Sequence, residues 1–390
     1  MPSIGFNVLR ELALEEGLSV VAVSEATALG QDRGFLEQWQ AAGYAADMEY
    51  MRRDPSLLSD PGRLLDGIKT VISVGAFYDR GERAPLRRGY GRVARYAWGK
   101  DYHKVLRVRL EGLCSRVRQH IATDFNYRVF SDSVPLLERA IAKRAGIGFV
   151  GKNTMLILPR AGSFMFLGEV LCDLTVDGLS DAPEEKPRGC GSCVRCLESC
   201  PTGAFVSERI LDAGRCISYL TIEKRGSLAW QERSLVGEWL FGCDICQDVC
   251  PFNVVSIKGR KRPDLPEFEA SQGVGQQIEL ARILAIRDHA HFVAQFAGTP
   301  VMRAKREGLL RNATCVAVNT QSLELLPSLR EAALHDPSPV VRQHAVWAVC
   351  ALAKIGGQGE QRASEQIVKQ ATDDPSELVR SEVSRCQMDL

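Results

Sequence analysis

Along residues 1–175 the apolar positions switch between helical spacing and short strand-like runs. An amphipathic opening helix is followed by a strand over residues 18–23, a helix near residues 34–53, and the run TVISVGAF at Thr70–Phe77, whose largely apolar character predicts a buried strand. The alternation continues with a basic amphipathic helix over residues 101–121, a short strand at Tyr127–Phe130, a helix over residues 135–145, and strands over residues 155–158 and 164–176. Interleaving of this kind predicts a sheet domain of α/β or α+β type within a multi-domain α+β chain.

Residues 181–188, rich in proline and charge, read as a linker, and the polar segment 258–266 reads as a second boundary. From there to the end the spacing is helical. Ala333, Asp336, Pro337, Ser338, Val341 and Arg342 recur as Ala371, Asp374, Pro375, Ser376, Val379 and Arg380. A helix that stops before Asp-Pro, followed by one that starts at Pro-Ser, is the pattern of HEAT-like repeats, which stack into a binding or bracing scaffold. The expected division is 1–178 for the sheet domain, 179–262 for a cysteine-rich domain and 263–390 for the repeats.

The composition of 45% hydrophobic and 25% charged residues over 390 positions suits two or three compact domains. A formal net charge of +1 carries no global signal for a polyanion or a membrane, so such a surface has to be local. The opening residues lead straight into an amphipathic pattern, and no apolar run approaches the roughly 18 residues of a membrane span. The expectation is a cytoplasmic protein with no membrane partner, in which 13 cysteines serve metal binding rather than disulfides.

Cysteine spacing carries the strongest chemical signal. Cys190, Cys193, Cys196 and Cys200 followed by Pro201 form C-x2-C-x2-C-x3-C-P, the bacterial ferredoxin arrangement for 4Fe-4S ligation. Cys243, Cys246 and Cys250 before Pro251 repeat the last two gaps, and Cys216 supplies the missing ligand. In the crossed pattern of two-cluster proteins, one cluster takes Cys190, Cys193, Cys196 and Cys250, and the other Cys200, Cys216, Cys243 and Cys246. A pair of structural zinc sites is the competing reading, but such sites do not usually end twice in C-x3-C-P. Cys114, Cys172, Cys315, Cys350 and Cys386 sit in apolar or helical contexts and read as small buried hydrophobes.

Two other segments hold candidate chemistry. Residues 132–154 and 159–168 concentrate Gly146, Gly148, Gly151, Gly162 and Gly168, which permit close approach of backbone to a large group, although no dinucleotide fingerprint is present. Asp132 reads as the N-cap of the following helix or, beside a redox cofactor and shielded by Val134, Leu136 and Phe149, as a proton donor with a raised pKa. Residues 80–118 hold twelve Lys or Arg interleaved with Tyr90, Tyr96, Trp98 and Tyr102, a composition suited to phosphate contact and base stacking. Lys258, Arg260, Lys261 and Arg262 form a second basic patch, and Arg303, Lys305, Arg306 and Arg311 a third.

Several motifs in order along the whole chain resemble the bacterial epoxyqueuosine reductase family: RYAWGKDYH at Arg95–His103, DSVPLLER at Asp132–Arg139, GFVGKNT at Gly148–Thr154, AGSFMFLGE at Ala161–Glu169, RCISYLTIE at Arg215–Glu223 and GCDICQDVCP at Gly242–Pro251. The resemblance implies a cobalamin, cob(II)alamin in the base-off form, between the first domain and the cluster domain. It implies electrons delivered through two 4Fe-4S clusters to cobalt, and reduction of an epoxide on the wobble nucleoside of a transfer RNA, recognised through its anticodon stem-loop. Asp132 is then the general acid. Arg53, Tyr96, Asp132, Lys152, Asn153, Ser163, Ser218 and Asp244 are the expected cobalamin-binding residues. The D-x-H-x-x-G signature of a histidine-ligated cobalt is missing, since Asp101, Tyr102 and His103 lack the glycine. A monomer served by an electron donor such as flavodoxin or ferredoxin is the implied assembly. The alternatives are a reductive dehalogenase-like enzyme, whose relatives usually carry an export signal, and an electron-transfer ferredoxin with a binding scaffold.

Overall fold

The computed structural model describes residues 2–78, 81–178, 189–254 and 264–389. The linker reading at 181–188 and the basic patch at 258–262 lie outside the described residues, as does Arg80. The chain forms two compact units: Met1–Glu82, Gly99–Gly214 and Asp244–Gln272 make up the first, and Arg83–Trp98, Arg215–Cys243 and Gly273–Leu390 the second.

The first unit is built on a four-stranded sheet in the order Val20–Glu25, Thr70–Phe77, Met165–Cys172, Tyr127–Phe130. Every neighbouring pair is antiparallel, so of the two sheet types expected the α+β one is correct and the α/β one is not. Thr70–Phe77 is buried at every position, as its sequence predicts, because it lies between two strands and is covered on both faces. Leu29, Val71, Phe130, Leu136, Ile141 and Leu171 form one core cluster, and Phe77, Ala142, Ile147, Leu156 and Met165 another.

Helix Tyr102–Ile121 starts where Asp101 accepts the His103 amide and ends at Ala122, whose φ of 53° is left-handed. It buries Tyr102, Leu106, Leu110, Leu113, Cys114 and Val117, one face at helical spacing. The helix expected over 135–145 is shorter, Glu138–Arg144, and its N-cap is Leu137 rather than Asp132. Pro135 and the bend around it keep the preceding residues out of helical geometry. The helix expected near 34–53 is Gly30–Ala41, and the remainder of that stretch turns back in short helical pieces.

In the second unit Tyr90–Val93 pairs in parallel with Trp239–Phe241 and antiparallel with Gln277–Glu279. Helices Lys305–Asn319, Leu326–His335, Pro339–Ala353, Gln358–Gln370 and Glu377–Asp389 follow. The Asp-Pro-Ser repeat has a mechanical meaning. Ser338 caps Pro339–Ala353, and Asp336 ends the helix before it. The Arg306 guanidinium pairs with Asp336, and that of Arg342 with Asp374 at 2.7 and 2.9 Å. Arg342 and Arg380 in turn donate to the Asp336 and Asp374 carbonyls, at 2.8 and 2.7 Å. Each repeat is thus tied to the next by the residues that make up the repeat.

Candidate active site and cluster cysteines

Asp132 follows Ser131, which succeeds strand Tyr127–Phe130, and has a φ of 48°, a left-handed value that Asp tolerates better than most residues. Its amide donates to Glu138 Oε1 at 2.5 Å, and its carboxylate Oδ2 accepts the Tyr102 hydroxyl at 2.6 Å. His103 Nε2 lies 3.7 Å from the same oxygen, and His103 Nδ1 lies 2.8 Å from Asp101 Oδ1. Tyr102 stacks on Phe166 at 4.3 Å and on His103 at 4.0 Å, which fixes its hydroxyl beside Asp132. The Asp132 side chain is 68% exposed, so the carboxyl is held yet reachable.

These neighbours reverse the expected titration of Asp132. Partial burial works to raise its pKa, but hydrogen bonds from His103 and Tyr102, with the charges of His103 and Arg139, carry it below the ordinary carboxylate value. For His103, burial opposes charging but is outweighed by Asp101 and Asp132, and the imidazole is pushed up to about 9. At neutral pH the proton of this group therefore resides on His103, with Asp132 as its carboxylate partner. Two further carboxyls stand behind them. Glu138 and Glu169 are both raised, first by burial and then by neighbouring negative charge.

Hairpin Phe149–Val150 with Leu156–Ile157 positions the first set of cysteines. The Lys152 amide donates to Cys190 Sγ at 3.4 Å, and Asn153 Nδ2 to the Cys246 carbonyl at 3.2 Å. Cys250 and Cys190 pack with Phe149, Ile157 and Phe252. Burial raises the Cys196 thiol, and so do the charges of Cys190, Cys250 and Cys193. Among the described residues no three His, Cys, Asp or Glu groups converge at single-ion distance. Cys200 Sγ accepts from the Ala204 amide at 3.4 Å and lies 3.4 Å from Thr202 Oγ1. Cys200 and Cys246 belong to the first unit, Cys216 and Cys243 to the second. The five cysteines given no role are all buried.

A polar clamp fastens the Cys246–Cys250 segment. Ser163 donates its amide to Asn253 Oδ1 at 2.6 Å, and its hydroxyl accepts from Asn253 Nδ2 and Gln247 Nε2, both at 3.0 Å. Gly162, with φ 82°, lies so close that a Cβ there would stand 2.2 Å from Asn253 Oδ1. The glycines expected to admit a large group are in fact required by the protein itself: Gly148 and Gly151 pack on Ile157 and Gly168 on Leu110, while Gly146 has a φ of 86°.

The remaining candidates belong to both units. Lys152 is buried and pairs with Glu208 at 2.7 Å. Asp244 is buried at the start of helix Ile245–Asp248. Arg53 is exposed, and its carbonyl accepts from Gln40 at 3.0 Å. In the second unit Tyr96 lies 6.1 Å from the Phe241 ring and Ser218 precedes the helical turn Tyr219–Glu223. Two of the four aromatic residues among the basic ones face inward rather than toward a base: Trp98 and Tyr102 are buried, with Arg83 over Trp98 and Trp239, while Tyr90 and Tyr96 are half-buried. In the third patch Arg306 and Arg311 are buried, the latter on the carbonyls of Leu220, Lys224 and Gly226. Sequence reasoning passed over Tyr102, His103, Glu138 and Glu169 as a group. The one available signal was Glu169 itself, a charge in the otherwise apolar run FMFLGEVLC.

Comparison with known proteins joins these features. A 4Fe-4S double cluster binding domain matches residues 189–253, an epoxyqueuosine reductase (QueG) domain matches 59–133 and a HEAT repeat matches 325–356. The epoxyqueuosine reductase of Xanthomonas campestris is 38% identical over 350 residues, 87% of this chain and 94% of that protein. The crystal structure of an epoxyqueuosine reductase with an epoxyqueuosine-modified tRNA-Tyr stem loop is similar at a TM-score of 0.85 and 30% identity, covering 97% of each chain. A structure of the Bacillus subtilis enzyme, with its catalytic aspartate loop swung out of the active site, is similar at 0.82 and 30%, covering 98% of each chain. With its double-cluster cysteines, its HEAT repeat and this extent of identity, the chain belongs to the epoxyqueuosine reductase family.

Proposed function

We propose that this chain reduces the epoxide of epoxyqueuosine, carried at the wobble position of a transfer RNA, to the alkene of queuosine. The reaction takes up two electrons and two protons and releases the epoxide oxygen as water. Two 4Fe-4S clusters, on Cys190, Cys193, Cys196 and Cys250 and on Cys200, Cys216, Cys243 and Cys246, are the proposed electron path, fed by a flavodoxin or ferredoxin. The charges that Cys190, Cys193 and Cys250 bring to bear on Cys196 fit such a cluster, and the second set rests on the spacing and on the matched domain.

The donor set beside Asp132 fits a cobalamin without a histidine ligand, because His103 is engaged by Asp101 at one nitrogen and faces Asp132 with the other. When bound, cobalamin supplies the low-potential electrons for opening the epoxide. Arg53, Tyr96, Lys152, Asn153, Ser163, Ser218 and Asp244 are the residues proposed around it, with Ser163 and Lys152 acting through the segments they hold.

The observation that carries this reading is the reachable Asp132 carboxyl between Tyr102 and His103. His103 holds a proton at neutral pH, Asp132 passes it to the departing oxygen, and Tyr102 keeps the carboxylate turned toward its task. For the nucleic acid, Lys104 and Arg107 in the first unit and Arg87 and Lys305 in the second are exposed cations available to phosphates. The test is to replace Asp132 with Asn in protein whose iron, sulfide and cobalt contents have been measured. Loss of epoxide reduction with full cofactor content supports the assignment, and turnover at the parent rate removes it.

A further inference from the structure

Thr221 has no solvent exposure, and its hydroxyl joins two separate parts of the chain. It donates to the Ile217 carbonyl at 2.8 Å, the back-bond common for a helical threonine, and accepts the Gly242 amide at 2.9 Å. Ile217 directly follows Cys216, and Gly242 directly precedes Cys243. One buried oxygen therefore ties together the residues beside both cluster cysteines of the second unit. Gly242 has little freedom of its own, since its φ is 72° and a Cβ there would stand 2.6 Å from Ala94 Cβ.

Thr221 is in turn held by the helical scaffold. It lies in the turn Tyr219–Glu223, wound wide enough for the Lys224 amide to reach the Tyr219 carbonyl at 2.9 Å, a form that recurs at functional sites. Two consecutive buried residues of helix Lys305–Asn319 close on this turn. Asn312 donates its side-chain amide to the Thr221 carbonyl at 2.7 Å and to the Leu240 carbonyl at 3.0 Å. The Arg311 guanidinium donates to the carbonyls of Leu220, Lys224 and Gly226 at 2.7, 2.9 and 2.7 Å, and to Asn312 Oδ1 at 2.9 Å. Fully buried positions of a stacked helix are ordinarily apolar, and here these polar groups serve the segment between Cys216 and Cys243.

We propose that Thr221 is a positioning residue that fixes Cys216 and Cys243 relative to each other as cluster ligands, and that Arg311 and Asn312 hold it in place. This rests on the assignment of Cys200, Cys216, Cys243 and Cys246 to one cluster. The helical scaffold then has a role in cluster retention, apart from any contact with nucleic acid. Loss of the hydroxyl leaves the buried Gly242 amide without its acceptor and frees the two cysteine-bearing ends to move independently.

The test follows release of iron to a ferrous chelator from the anaerobically purified holoprotein, starting at about eight iron atoms per chain. Cys216→Ala identifies the phase, of about four atoms, that belongs to the second cluster. Thr221→Val keeps the shape without the hydroxyl, and is expected to quicken that phase about tenfold while the other keeps the parent rate. Thr221→Ser, which restores the hydroxyl, should return most of the difference. Arg311→Lys keeps the charge but loses the fork that spans the carbonyls, and is expected to quicken the same phase by a smaller factor. Arg342→Ala, a destabilising change elsewhere in the same unit, is the control expected to alter neither phase. Parental release in Thr221→Val, acceleration of both phases alike, or a Ser variant no better than Val overturns the proposal. If the Val variant does not fold, parental release in Arg311→Lys overturns it instead. Iron content unchanged in Cys216→Ala removes the ligand assignment and the proposal with it, so failure of the assignment is told apart from failure of the positioning role alone.

Discussion

The Tyr102 hydroxyl donates to Asp132 Oδ2 at 2.6 Å, joining the start of one helix to a turn 30 residues further along the chain. Removing it tests whether the carboxylate needs that hold. Tyr102→Phe keeps the stacking on Phe166 and deletes one charge-assisted hydrogen bond of about 1.5–3 kcal/mol. The expected result is a fall in single-turnover rate of about tenfold or more, with tRNA affinity unchanged and the Asp132 pKa moved up toward its ordinary value.

His103 supplies a pH signature. Its pKa is about 9 in the folded protein against an ordinary value of 6.5, so folding binds its proton. The associated stability is fully present below 6.5 and is lost as pH rises through 9. Melting temperature should therefore decline across this interval in the parent protein. In His103→Gln the decline should be shallower, and the rate should lose its dependence on pH near 9.

Asn253 tests the clamp under the cluster segment. Asn253→Ala strands the Ser163 amide, which is buried, at a cost of about 1–3 kcal/mol. The melting temperature is expected to fall by several degrees. Loss of iron on exposure to air should also quicken, because the Gln247 carbonyl loses the Asn253 amide and only the Gln247 side chain still ties the residues before Cys250 to Ser163. Spectroscopic decay of the cluster absorption measures this directly.

The repeat ladder gives a structural control. Arg342 meets Asp374 through two hydrogen bonds, with side-chain exposures of 12% and 8%. Arg342→Ala should cost about 3–5 kcal/mol by leaving a largely buried carboxylate unpaired, lowering the melting temperature while iron content stays at the parent level.

Nucleic-acid binding should follow salt. Anticodon stem-loop affinity is expected to weaken linearly with the logarithm of salt concentration, and replacing both Lys104 and Arg107 with Ala should reduce that slope by about one to two. A slope unchanged by the pair places the phosphate contacts elsewhere.

What the sequence made legible was local. Thr70–Phe77 could be read because an eight-residue run interrupted only by the small hydroxyl residues Thr70 and Ser73 leaves few alternatives to a buried strand. The HEAT signature was visible because its Asp, Ser and Arg act within a repeat and its immediate neighbour. The double-cluster domain was visible because cysteine spacing is written into the chain. The environment of Asp132 was not. Its apolar sequence neighbours suggested a raised pKa, whereas the groups that lower it, Tyr102 and His103, arrive from a distant helix. The glycines misled for a similar reason: Ile157, Asn253 and Leu110, which crowd them, are separated from them by turns, strands or most of a domain. The basic stretch likewise concealed that its tryptophan and one of its tyrosines are core residues.

The most direct test of the account is conversion of epoxyqueuosine in transfer RNA by the anaerobically prepared protein, supplied with cobalamin and a strong one-electron reductant and followed by nucleoside mass analysis. The expected result is queuosine, formed in a cobalamin-dependent manner and abolished by Asp132→Asn. Unchanged epoxyqueuosine from protein that holds both clusters and a corrinoid would contradict it.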